Sequence, residues 1–131
     1  MREIKFRAFH TIRNELYQVY SLSRDYVFKD TLEDGIGCDG VPDDTDDCII
    51  EQFTGLKDKN GVDIYEGDIV SYTCETWNEK PFTKKDLVEY REFLCGFNPM
   101  CFNLSCDNDY YSYHVSDIEV IGNIHENKDL L

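Results

Sequence analysis

The sequence predicts a mainly β protein, a small barrel or a sandwich. Three observations predict it. No stretch carries a sustained helical period. Seven to nine short runs instead alternate apolar with polar residues or concentrate β-branched and aromatic ones. Glycine, asparagine and aspartate separate these runs at turn spacings. No internal repeat breaks the pattern. At 131 residues with 41% apolar content the chain is expected to fold as a single domain with a real core. Within it, residues 1–51 supply N-terminal strands and an acidic loop, and 52–131 the barrel.

From Glu3 to Ala8 the alternation is strict, with Ile4, Phe6 and Ala8 on one side and Glu3, Lys5 and Arg7 on the other. This is a half-buried strand whose charged side faces solvent. Phe9 interrupts the pattern, as a bulge or a partner contact would. Residues 10–15 form a polar connection, and 16–22 a second strand, the hairpin partner of the first. Residues 24–30 fit either a strand or a short helix. Nine acids and no base then occupy 30–51, among them Asp30, Glu33, Asp34, Asp39, Asp43, Asp44, Asp46, Asp47 and Glu51. Like charges and glycines predict a mobile, solvated loop over 32–47, followed by a strand at 49–53.

The stretch Gln52-Phe53-Thr54-Gly55-Leu56-Lys57-Asp58-Lys59-Asn60-Gly61-Val62-Asp63-Ile64-Tyr65-Glu66-Gly67-Asp68-Ile69-Val70 is the most distinctive in the chain. Asn60-Gly61 predicts a type I′ turn, which needs positive φ at both central residues. Val62 to Tyr65 reads as the outgoing strand. Glu66-Gly67-Asp68 is a second turn, and Ile69 to Thr73 a further strand. Gly55, Gly61 and Gly67 are six residues apart, which matches no phosphate-binding loop; each is expected to serve its own turn. An EF-hand reading with Gly61 at position 6 puts Leu56 at position 1 and Gly67 at position 12, so the first and last calcium ligands are missing.

Residues 76–85, with Trp77 and Pro81, read as a polar loop. Segments 86–90 and 93–97 fit two strands or one bulged strand, with a helix over 83–94 as the competing reading. Asn98-Pro99 marks a turn. Residues 100–104 and 110–115 are strand candidates; 118–124 is a clear one. The three tyrosines beside His114 fit cross-strand packing better than a base-stacking platform, given the surrounding acids. The last residues, 126–131, fit a single helical turn.

Net charge is −14, from 13 bases and 27 acids. That opposes unaided binding to nucleic acid or to an anionic membrane, and an acidic mimic of DNA is the nucleic-acid-linked alternative. No run of about 18 apolar residues spans a membrane, and the start lacks the apolar core of a signal peptide, so a cytoplasmic protein is expected. The cysteines, Cys38, Cys48, Cys74, Cys95, Cys101 and Cys106, are then expected to be free thiols. Cys95, Cys101, Cys106 and His114 offer zinc donors but not at close-pair spacing, so no metal is expected. His10, His114 and His125 are the candidate bases and the cysteines the candidate nucleophiles of an enzyme. No pair shows a catalytic spacing; a pocket holding a cysteine beside a histidine would favour catalysis.

Three segments resemble the YopX family of small bacteriophage and prophage proteins: Met1-Arg2-Glu3-Ile4-Lys5-Phe6-Arg7-Ala8-Phe9; the central stretch with Thr54, Gly55, Leu56, Asp58, Asn60, Gly61, Ile64, Tyr65, Glu66, Gly67 and Asp68; and Ile118-Glu119-Val120-Ile121-Gly122-Asn123-Ile124-His125-Glu126-Asn127. A tryptophan is more usual at Phe9, a tyrosine at His125 and a proline at Lys128. Together the segments cover about a third of the chain. The resemblance implies a mostly β fold containing a small SH3-like barrel, encoded by a phage or prophage and acting in a bacterial cytoplasm. It implies no catalytic residue and no cofactor. The function expected is a non-catalytic module that binds a host or phage protein, with self-association through exposed strand edges as a further expectation.

Overall fold

The computed structural model describes residues 4–30, 41–76, 79–91, 96–99 and 114–131. Two compact units make up the chain, Met1–Phe53 and Thr54–Leu131.

In the first unit, β1 (Phe6–His10), β2 (Glu15–Leu22), β3 (Tyr26–Lys29), β4 (Asp43–Asp44) and the start of β5 (Cys48–Lys57) form an antiparallel sheet in the order β4-β3-β2-β1-β5. The expected β1–β2 hairpin is present, pairing Arg7 with Gln18 and Phe9 with Leu16. Asn14 in its turn has φ +54, a conformation asparagine tolerates. Residues 24–30, open between strand and helix, resolve as β3. One sheet face buries Ala8, Tyr17 and Val27, with Val19, Cys48 and Ile50 packed against them. The other face is covered too: Arg7, Phe9 and Glu51 are buried there. Arg7 therefore does not lie on a solvated strand face, as the alternation predicts. Register explains the difference, because β5 sets Glu51 directly opposite Arg7, and the guanidinium Nε donates to Glu51 Oε1 at 2.9 Å. Lys5 rests 4.5 Å over the Phe53 ring.

Of the expected 32–47 loop, 32–40 lie outside the described residues. The remainder is not a solvated loop. Asp43–Asp44 pairs with β3, and a 3-10 turn, Thr45–Asp47, leads into β5. The Asp44 carboxylate accepts the Asp46 backbone N–H at 3.0 Å.

In the second unit, β6 (Asp63–Tyr65) follows the end of β5 as its sheet neighbour. β7 (Asp68–Thr76) is central in a β11-β7-β8 sheet with β8 (Glu79–Leu87) and β11 (His114–Asn123). β9 (Glu89–Arg91) and β10 (Gly96–Asn98) form a separate ribbon. The core comprises Ile64, Val70, Tyr72, Cys74, Val88 and Val115, with Phe97, Ile118 and Val120 against it. A closing 3-10 turn, Lys128–Leu130, meets the expectation of one helical turn.

Four readings of the sequence change here. The 76–85 loop is a strand: β8 pairs with β7 from Ile69↔Leu87 to Thr76↔Glu79. Its polar composition follows from its place at the sheet's edge, where 80–85 are exposed and Pro81 is tolerated. A helix over 83–94 is excluded for 83–91, which are strand or its connection. The Asn60-Gly61 turn is not type I′, since Gly61 alone has positive φ, +83. The Gly61 N–H donates to Asp58 O, and Asp58 N to Val62 O, giving a type I turn closed by a left-handed glycine. Gly55 sits within β5 rather than in a turn. The strand candidates at 100–104 and 110–113, and Trp77, lie outside the described residues. The described sheets are not closed into a barrel, and no α-helix occurs among the described residues, so the fold stands as mainly β.

Candidate functional site

The densest polar cluster gathers at one end of the first sheet. Pairing sets His10 opposite Glu15 on β2 and opposite Cys48 on β5, and residues opposite one another share a face. Tyr17, two residues beyond Glu15, lies on the same face. β4 brings in Asp43 through its pairing with Val27, and the β1–β2 turn supplies Arg13. The Arg13 guanidinium grips Asp43 with two bonds of 2.7 Å. The Tyr17 hydroxyl donates to Asp43 Oδ2 at 2.6 Å and lies 3.6 Å from Cys48 Sγ. Glu15 pairs with both Lys29 and Arg13.

This cluster does hold a cysteine beside a histidine, and the geometry shows what the pair can do. The Arg13 backbone N–H donates to His10 Nδ1 at 3.1 Å, and His10 Nε2 faces Asp43 Oδ1 at 3.8 Å. Neither imidazole nitrogen is hydrogen-bonded to the thiol. Burial pushes the Cys48 thiol up; the Tyr17 hydroxyl works against this, while the charges of Asp43 and Asp47 add to the rise. A nucleophilic cysteine needs a depressed pKa or a base bonded to it; the Cys48 pKa is raised, and its hydrogen-bond neighbour is the Tyr17 hydroxyl rather than His10. Burial, then the bond to Asp43, pushes the Tyr17 hydroxyl up as well. The cluster fixes β4 and the turn onto the sheet.

Asp43 carries a testable consequence. The Arg13 bonds, more than the Tyr17 hydroxyl, hold its carboxyl at about 2 despite opposing burial. A depressed folded-state pKa contributes stability above the unfolded value of about 3.8 and loses it as pH falls through the folded one. Arg13 is half exposed, which discounts the shift. Urea unfolding of wild type and Asp43→Asn is expected to differ by about 1–2 kcal/mol above pH 4, converging near pH 2. A difference independent of pH across that window would assign the effect to packing.

The residues singled out in the central stretch fall in the second unit, and the described contacts of most go to the backbone. Thr54 Oγ1 donates to Ile64 O at 2.8 Å and accepts from Leu56 N at 3.2 Å. Asp58 Oδ1 accepts the N–H groups of Asn60 and Val62 at 2.8 and 2.9 Å, and Oδ2 that of Val120 at 3.0 Å. Burial works to raise the Asp58 pKa, but those three bonds and Lys59 bring it below its ordinary value. Asp68 Oδ2 accepts from Tyr65 N at 2.8 Å, the Gly67 N–H donates to Val88 O, and Gly67 O accepts from Ile124 N. Ile64 and Tyr65 are buried. Asn123 Oδ1 caps the N–H groups of His125 and Glu126, both at 3.0 Å. Gly122 is required by close approach: a Cβ there would lie 2.6 Å from Asn127 Oδ1 and 2.8 Å from Asn127 Cβ. Leu56 and Asn60 are exposed and Glu66 half-buried.

Cys74 is buried in the second core and Cys48 half-buried in the first unit. Cys38, Cys95, Cys101 and Cys106 lie outside the described residues, so the three cysteines weighed with His114 as zinc donors are not described. No group of three metal-ligating side chains occurs among the described residues. No described helix is long and apolar enough to cross a membrane.

A family model described as YopX protein matches residues 5–131. The chain belongs to the YopX family. A search of curated proteins returned no match. Among solved structures, the crystal structure of protein EF1440 from Enterococcus faecalis is similar at 28% identity and a TM-score of 0.65, covering 100% of this chain and 99% of that one. In this YopX protein, the residues that carry the family resemblance in the central stretch are mainly scaffold. The Asp43 cluster escapes the sequence because Asp43 lies 26 to 33 positions from Tyr17, Arg13 and His10, and Cys48 31 to 38 positions from Tyr17 and His10, and only register brings them together.

Proposed function

We propose that this YopX protein is a non-catalytic interaction module that binds a host or phage protein, made by a phage or prophage and acting in the bacterial cytoplasm. The observation that carries this reading is the use of its polar groups. Asp58, Asp68 and Asn123 serve backbone N–H groups, and His10, paired opposite Cys48, has its nitrogens at Arg13 N–H and Asp43 with no hydrogen bond to the thiol. The second unit supports the SH3-like assignment: its last strand, β11, lies beside its long strand β7, β8 follows on the other side, and β9–β10 forms a ribbon. Such small barrels serve many binding roles.

The test is a pull-down with tagged protein from nuclease-treated host lysate, read by mass spectrometry. One protein captured at a stoichiometric level is the expected result. A folded protein that retains nothing across hosts would overturn the interaction reading.

A further inference from the structure

We infer that the outer edge of β8 takes up an extended acidic segment of a partner protein as an added strand. The inference rests on the interaction reading and assigns it a surface and a partner chemistry. β8 ends the β11-β7-β8 sheet and pairs with β7 alone among the described strands. It is nine residues long, and 80–85 are exposed throughout. A long exposed edge presents a row of backbone donors and acceptors to another chain.

The charges on this edge set it apart. Lys80, Lys84 and Lys85 make no ion pair among the described residues. Five bases elsewhere meet carboxylates, Arg7 with Glu51, Arg13 with Asp43, Lys29 with Glu15, Lys57 with Asp63 and Lys59 with Glu119; Arg24 and Lys128 make no ion pair among the described residues but stand singly, not clustered on one strand. With 27 acids for 13 bases, carboxylates are in excess, yet this strand keeps three ammonium groups unmatched. Edge lysines ordinarily keep strands apart, because a neutral strand would desolvate them without compensation. An acidic strand reverses that effect, so the same lysines exclude generic strands and admit one class. Phe82 and Lys84 share one face, opposite Cys74 and Tyr72; Thr83 and Lys85 share the other. Lys80 stands beyond an irregularity in the pairing. Phe82 is 37% exposed, so a segment alternating acidic and apolar residues fits this edge. Nucleic acid fits less well, because a chain of net charge −14 repels a polyanion and three lysines neutralise few phosphates.

The probe is a nine-residue peptide alternating glutamate and valine, titrated into the full chain and followed by amide chemical shifts. Shifts confined to β8 and its β7 neighbours are expected, with affinity at least about tenfold weaker in the triple variant K80E/K84E/K85E. The variant's unfolding midpoint checks that it folds; the single variant K84E, expected to weaken binding less, serves if it does not. A version of the peptide with methylated backbone nitrogens keeps its charges but cannot pair, and is expected to lose binding. The inference is overturned if the peptide fails to bind, if the triple variant or the methylated peptide binds equally well, or if a single-stranded oligonucleotide takes the same edge more tightly. It is also overturned if sedimentation shows β8 occupied by a second copy that the peptide cannot displace. A lysate partner captured equally by wild type and triple variant would defeat this edge while leaving the interaction reading intact. Peptide binding without any lysate partner would do the reverse.

Discussion

Replacing Glu51 with alanine is expected to lower the unfolding free energy by about 3–5 kcal/mol, a large share of what a small protein has. Glu51 Oε1 accepts from Arg7 Nε at 2.9 Å, and the two side chains are only 7% and 8% exposed. Truncating the carboxylate leaves a guanidinium that cannot lose its proton in a space that excludes most water. The cost lies more in keeping the buried guanidinium without this carboxylate than in the lost attraction. The double variant R7M/E51L, which removes both charges and keeps volume, is therefore expected to recover most of the loss. Urea midpoints of the two variants and wild type decide it. A single-variant loss below about 1 kcal/mol would mean that water reaches the site and the pair behaves as a surface one.

Asp58→Ala is expected to cost about 3 kcal/mol, because three backbone N–H groups lose their acceptor at once. Two of these close the 58–62 turn. The third, from Val120, ties the turn to β11, 62 positions away. Asp58→Asn, which keeps one oxygen acceptor, is expected to fall between. Amide hydrogen exchange separates a local effect from a tertiary one: faster exchange at Asn60 and Val62 alone would confine Asp58 to its turn, whereas faster exchange at Val120 as well is the expected result. The pKa of Asp58 is lowered in the fold, so its contribution is present above the unfolded value and fades as pH falls below it.

These two carboxylates show how differently the sequence speaks about similar residues. Asp58 stands in a run dense with turn residues, and its role is readable from neighbours within four positions, except for the bond to Val120. Glu51 looks like one more acid at the end of a nine-acid stretch, and Arg7 like the polar side of an alternating strand. Alternation reports only that one face is apolar; it does not report that the other face is covered. β8 failed to stand out for the opposite reason. A strand exposed along 80–85 at a sheet edge is under little pressure to alternate, so its lysines and proline read as loop. The Asn60-Gly61 turn was legible as a turn but not as a type, since the choice between two left-handed residues and one depends on how Asp58 and Val62 meet.

By itself the sequence determined the β class, the first hairpin, most turn positions and the family, because these follow from local conformational preference and period-two burial. The tertiary structure decided which charges are buried, which acids are spent on backbone N–H groups, and how His10 and Cys48 are oriented. Those depend on strand register across up to 62 positions, and the free energy of a charge is set by what surrounds it rather than by what precedes it in the chain.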